Sequence, residues 1–119
     1  MVHMEDVTFR YGKKAPLFTG LDLQLETNTV YGLLGKNGAG KTSLLKLLCG
    51  LRFPESGEIL VAGHSPEKRH PRLLEELFLI PEEFPSPAVT VTQYAWMYGA
   101  FYPRFSLEEF DHYVEEFEL

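Results

Sequence analysis

An α/β fold of the P-loop type is predicted by three observations. Residues 35–43 read GKNGAGKTS and fit the spacing G-x-x-x-x-G-K-[ST], with Gly35, Gly40, Lys41 and Thr42 in the fixed positions. A short apolar, β-rich run (TVYGLL, 29–34) precedes that loop, and a Leu-dense run (TSLLKLLCGL, 42–51) follows it. Period-two alternation near the N-terminus gives way to helical spacing near the C-terminus. The expected architecture is an N-terminal antiparallel β portion, a P-loop strand and helix, and a C-terminal helical hairpin. The expected division is a β portion and P-loop α/β core over 1–83 and the start of a helical subdomain over 84–119.

In chain order, residues 2–11 carry alternation at Val7, Phe9 and Tyr11 and predict a strand. Gly12-Lys13-Lys14 is a turn. Residues 21–25 (LDLQL) alternate strictly and predict a second strand with one wet face. Asn28 suits a tight reversal because it tolerates positive φ. The run 29–34 then predicts a strand buried on both faces, as in a parallel sheet. In the helix after the loop, Leu44, Leu45, Leu47, Leu48 and Leu51 cover most of the circumference, so it is expected to be mostly buried. Cys49 reads as a small core residue. A turn at 53–57 leads to a short strand over 58–61, and Pro71 suits the start of a short helix reaching about 77. Residues 77–80 (LFLI) predict another buried strand. Beyond the proline-punctuated acidic loop Glu82-Glu83-Phe84-Pro85-Ser86-Pro87, Thr90 and Gln93 form a capping box for a helix to about Tyr102. Pro103 stops it. Ser106 and Glu109 open a second helix running to the last residue. Tyr94, Tyr98, Phe101, Tyr102 and Phe105, then Phe110, Tyr113, Val114 and Phe117, follow helical spacing. They read as hairpin core or as a docking surface.

Composition bounds the function. The chain has 119 residues, 45% hydrophobic and 24% charged, which fits one globular domain at most. A net charge of −6 argues against general nucleic-acid binding, which needs a basic face. The acids are concentrated late: residues 61–119 hold eleven Asp/Glu against four Lys/Arg. The single Cys excludes an internal disulfide and suits a reducing compartment. No apolar run approaches bilayer-spanning length. His3, His64, His70 and His112 share no metal-ligand spacing.

The glycine loop carries the chemistry. A triphosphate needs many donors and little steric bulk. Gly35, Gly38 and Gly40 let backbone N–H groups approach phosphate oxygens and allow positive φ. Successive N–H groups form an anion-binding concavity, and the following helix aims its positive end at the same anion. Lys41 adds a mobile point charge. The Thr42 hydroxyl is placed to ligate Mg²⁺, and Ser43 to donate to the α-phosphate.

The sequence as a whole resembles the ATP-binding subunits of ABC transporters. The resemblance rests on FRYG at 9–12, LLGKNGAGKTSLLKLLCGL at 33–51, PESGEILVAG at 54–63 and FLIPEE at 78–83. Among them it looks most like the ATPases of simple exporters that pair with a separate membrane subunit. The resemblance implies that Gly35, Lys36, Asn37, Gly38, Ala39, Gly40, Lys41, Thr42 and Ser43 bind nucleotide, with ATP and Mg²⁺ as ligands. Lys41 is implied as catalytic. Tyr11 corresponds to an aromatic that stacks on adenine; the alternative is an ordinary exposed Tyr at a turn. Glu82 lies where the family usually has Gln, a residue that reaches Mg²⁺ and the attacking water. A carboxylate there implies a metal ligand and catalytic participant, with Glu82 and Glu83 as a solvated acidic pair the alternative. The implied partners are a transmembrane subunit, contacted through the helical region near 84–105, and a second nucleotide-binding domain, with no nucleic acid. The implied location is cytoplasmic, peripheral on the inner membrane face through the membrane-embedded partner.

Several family features find no match. No Leu-Ser-Gly-Gly-Gln-like signature, no apolar strand ending in Asp-Glu and no switch His appears. The expectation is therefore the N-terminal half of a nucleotide-binding domain, with weak binding of phosphate or nucleotide, little turnover, unpaired strand edges, exposed apolar surface, and either self-association or marginal stability. Two rival readings are a soluble ABC-type ATPase acting on ribosomes or nucleic acid, and a P-loop kinase of another class. The acidic balance weighs against the first. The second needs an Arg-bearing lid, for which Arg104 is the single candidate.

Overall fold

A computed structural model describes residues 1–83 and 87–118. The expectations for Phe84, Pro85 and Ser86, and for the last residue of the chain, lie outside the described residues. The chain divides into two compact units, Met1–Leu79 and Ile80–Leu119.

The first unit is built on a three-stranded antiparallel sheet. β1 (Val2–Phe9) lies between β2 (Phe18–Leu25) and β3 (Ser56–Val61). Along β1 the inward residues are Met4, Val7 and Phe9. Strict alternation from Met4 would face Asp6 inward. A bulge prevents this: the register slips against both neighbours between residues 4 and 8, and Asp6 takes a left-handed φ of 48°. The extra residue resets the phase so that Val7 points into the core. The Asp6 N–H donates to Asp22 Oδ1 on β2 at 2.8 Å, which satisfies it outside the ladder. β2 alternates half-buried Leu21, Leu23 and Leu25 with exposed Asp22 and Gln24, as its sequence requires.

α1 (Lys41–Leu48) sits on this sheet. Leu44 and Leu47 enter one apolar core with Met4, Val7, Phe9, Ile59, Val61 and Leu73. The helix ends in a Schellman motif: Gly50 N–H donates to Leu47 O and Leu51 N–H to Lys46 O, with Gly50 at φ 64°. A 3-10 turn (Pro66–Lys68) and α2 (Pro71–Leu74) follow β3. Pro71 opens α2 at the first helical position, and His70 Nδ1 caps it by accepting from Arg72 N–H.

Two expected strands differ from the structure. Residues 29–34, the predicted P-loop strand, carry no regular secondary structure and join no ladder among the described residues. Val30 is 99% exposed and Leu34 93%. Residues 77–80 likewise form no strand, and Ile80 is 80% exposed. A strand buried on both faces needs a paired neighbour and cover above and below. β2 and β3 each pair with β1 alone, and neither forms a ladder with these runs among the described residues. α1 departs from expectation for the same reason. One sheet covers one side of it, so Leu44 and Leu47 are buried while Leu45 and Leu51 are exposed.

The second unit holds α3 (Val91–Gly99) and α4 (Leu107–Glu116). The capping box opening α3 is formed in full: Gln93 N–H donates to Thr90 Oγ1 and Thr90 N–H to Gln93 Oε1. The helix stops at Gly99, three residues short of Tyr102, and tight turns carry the chain through Phe101 and Tyr102 to Pro103. Ser106 Oγ caps α4 by accepting from Glu109 N–H at 3.2 Å. Neither helix buries a stripe. Ala95 is the sole buried residue of α3, and α4 has none. The aromatics pair locally instead, with Tyr94 stacked on Tyr98 at 4.3 Å and Phe105 against Phe110 at 6.2 Å. The hairpin-core reading of the aromatic spacing therefore fails for Tyr98, Phe101, Tyr113 and Phe117, which are exposed.

Candidate functional site

The candidate site is the glycine loop and the start of α1. Ala39 N–H closes a turn onto Lys36 O at 3.1 Å, with Asn37 and Gly38 between them. Gly38 has φ 83° and Gly40 φ 97°, both left-handed. Gly40 is the N-cap of α1 and has a second constraint. A Cβ there would lie 2.7 Å from the Phe18 ring and 3.1 Å from Leu17 Cδ2. Gly35 has no positive φ, so its place in the loop does not depend on that freedom.

Lys41 reaches back across the loop. Its ammonium donates to Gly35 O at 2.7 Å and to Lys36 O at 3.0 Å. Two of its three donors thus hold the loop closed, and the third remains for an anion. The cation stands beside the α1 N-terminus, whose first N–H groups have no acceptor within the helix. Thr42 is exposed in the first turn, and Ser43 is buried. Lys36 and Asn37 are exposed at the rim.

Tyr11 stands against the same helix end. Its hydroxyl and Ser43 Oγ are 2.9 Å apart. The Phe9 and Tyr11 rings meet edge to face at 4.9 Å, and the Arg52 guanidinium lies 5.8 Å over the Tyr11 ring. The hydrogen bond to Ser43, helped by Arg52 and by the charge of Lys46, holds the phenol below its usual pKa despite some desolvation. The structure therefore brings Tyr11 to residues 35–43. Glu82 is an exposed residue at a bend in the second unit, as is Glu83.

Sequence reasoning missed Leu17 and Phe18 as neighbours of the loop at Gly40, and Arg52 and Lys46 as neighbours of Tyr11. Arg52 follows the glycine cap of α1, where a cation is unremarkable on dipole grounds alone. Nothing in its spacing pointed at Tyr11, forty-one residues earlier. Phe18 was placed before the second predicted strand, whereas β2 begins with it.

Magnesium typically takes one or two protein oxygens and completes its shell with phosphates and water. Thr42 offers one exposed hydroxyl of that kind at the start of α1.

Comparison with known proteins follows this geometry. The family described as ABC transporter matches residues 18–118. The chain belongs to the ABC transporter family. It is 53% identical over 55 residues to the daunorubicin resistance ATP-binding protein DrrA3 of Streptomyces coeruleorubidus, covering 46% of this chain and 17% of that one. It is 36% identical over 81 residues to the Nod factor export ATP-binding protein I of Burkholderia orbicola, covering 68% and 26%. A solved ATP-binding subunit of an ABC transporter superposes with a TM-score of 0.78 at 20% identity over 93% of this chain and 46% of that one, a likeness of fold. This ABC-family chain thus spans about a third or less of the length of the curated relatives it matches. No helix among its described residues is long and apolar enough to cross a membrane.

Proposed function

We propose that this chain carries the phosphate-binding loop of an ABC transporter ATP-binding subunit and binds MgATP there. The observation that carries the reading is the Lys41 ammonium, held across Gly35 and Lys36 at the N-terminus of α1. Backbone N–H groups of residues 36–43 and the helix end receive the phosphates, and Lys41 supplies the point charge for the β- and γ-phosphates. Ser43 donates to the α-phosphate. Thr42 holds Mg²⁺, with Glu82 as a second oxygen ligand; the ion would neutralise phosphate charge. Tyr11 lies against the base. In the whole protein, this site works in a pair of nucleotide-binding domains, hydrolyses ATP and drives transport. The exposed aromatics of the second unit, including Trp96 at 71% exposure, meet a transmembrane subunit, which holds the protein at the cytoplasmic face of the membrane. The family match and the transport names of the relatives favour this reading over a ribosome-associated ATPase or a kinase.

Titrating the chain with a fluorescent ATP analogue in Mg²⁺ tests the proposal. Lys41→Ala should weaken binding by about tenfold or more, the scale of a lost charge-assisted contact. Equal affinity in the two chains would sink it. Glu82 is tested by the ratio of ATP affinities with and without Mg²⁺. A carboxylate repels the phosphates until the metal intervenes, so Glu82→Gln should lower that ratio. An unchanged ratio removes Glu82 from the site.

A further inference from the structure

Tyr11 makes a contact that base stacking does not require. Stacking uses the ring face, and Phe would serve as well. Here the hydroxyl is spent on Ser43 Oγ, across thirty-two residues of sequence. Ser43 is the buried polar residue among the described residues and sits in the first turn of α1. The ring itself is held by Phe9 at its edge or face and by Arg52 above it.

The chemistry of the pair sets its direction. A phenol is a stronger acid than an alcohol, and the alcohol oxygen is the better acceptor. The cationic Arg52 guanidinium over the ring makes the phenol a still better donor. Tyr11 therefore donates and Ser43 accepts. A serine hydroxyl has one proton and two lone pairs. With a lone pair taken by Tyr11, that one proton remains for another acceptor, and the rotation that aims it is restricted. Donors in such a chain also polarise one another.

We propose that Tyr11 is a positioning residue for phosphate: its hydroxyl donates to Ser43 Oγ and so commits the Ser43 proton to the anion in the loop. Arg52 keeps the Tyr11 ring in the pose that makes this bond. This rests on the reading of residues 35–43 as the phosphate site, and it adds to Tyr11 a role independent of the base.

A double-mutant cycle with two probes tests it. The natural chain, Tyr11→Phe, Ser43→Ala and the double variant are titrated with ATP and with inorganic tripolyphosphate, which has no base to stack. Thermal melts confirm that each chain is folded. Tyr11→Phe should weaken both probes by about 2- to 10-fold, the range of one hydrogen bond. The double variant should bind no worse than Ser43→Ala, because the first effect acts through the second residue. Tyr11→Phe with natural affinity for tripolyphosphate, or losses that simply add, would overturn the proposal and leave the loop's role intact. Failure of the natural chain to bind either probe would overturn both.

Discussion

The two apolar runs flanking the glycine loop have opposite fates. Residues 29–34 and α1 are similar in apolar content, and both were expected to be buried. Leu47 of α1 is 1% exposed, whereas Leu34, seven residues before the helix, is 93% exposed. Local character does not separate them. α1 packs its leucines against residues of β1 and β3, and residues 29–34 have no paired strand among the described residues. Burial is a property of a partner surface as much as of the run itself. The loop is thus anchored on its helical side, where Leu44 and Leu47 enter the core and Phe18 closes on Gly40.

The most forceful way to break this comparison is to truncate one leucine on each side. Leu47→Ala removes a fully buried side chain from a core shared by sheet and helix, and should cost about 2–5 kcal/mol in denaturant unfolding. Leu34→Ser should change stability by no more than about 0.5 kcal/mol, since the side chain is already in water. Comparable losses at the two positions would mean that 29–34 is packed after all.

A smaller effect concerns association. Val30, Leu34 and Ile80 present apolar surface of the kind that draws copies of a chain together. Sedimentation should show concentration-dependent self-association of the 119-residue chain, reduced in a Val30→Thr, Leu34→Ser double variant. A monomer at all concentrations contradicts the exposure of these runs.

The smallest effect is chemical. Cys49 caps α1 and is half-buried, and desolvation raises its thiol pKa. The folded state therefore favours the neutral thiol. That contribution to stability is present below the ordinary thiol value and lost as pH rises through the raised one. At pH 8 the reaction of Cys49 with a disulfide reagent should be several-fold slower than that of a cysteine peptide, because the thiolate is the reacting form. An equal rate would place Cys49 in solvent.

Much of the fold was legible in the sequence. The alternation of 21–25, the Pro71 helix start and the Thr90–Gln93 box each specify a local element with a local physical cause, and each formed. Strand formation at 29–34 and 77–80 was not legible, because apolar runs state a need for burial and not whether a neighbour exists to supply it. The bulge at Asp6 was hidden for a related reason: only the joint register of three strands shows why Met4 and Val7 share a face. At the site, the motif located the phosphate loop by residue type and spacing. Arg52 and Phe18 stayed out of view because their proximity is tertiary.

Hydrogen exchange with and without MgATP tests the central claim most directly: a phosphate loop anchored through α1 beside an unpaired run. The account predicts slow exchange at β1 and in α1, fast exchange at 29–34, and new protection over 35–43 when MgATP is added. Protection of 29–34 equal to that of β1, or no change over 35–43 with MgATP, would contradict it.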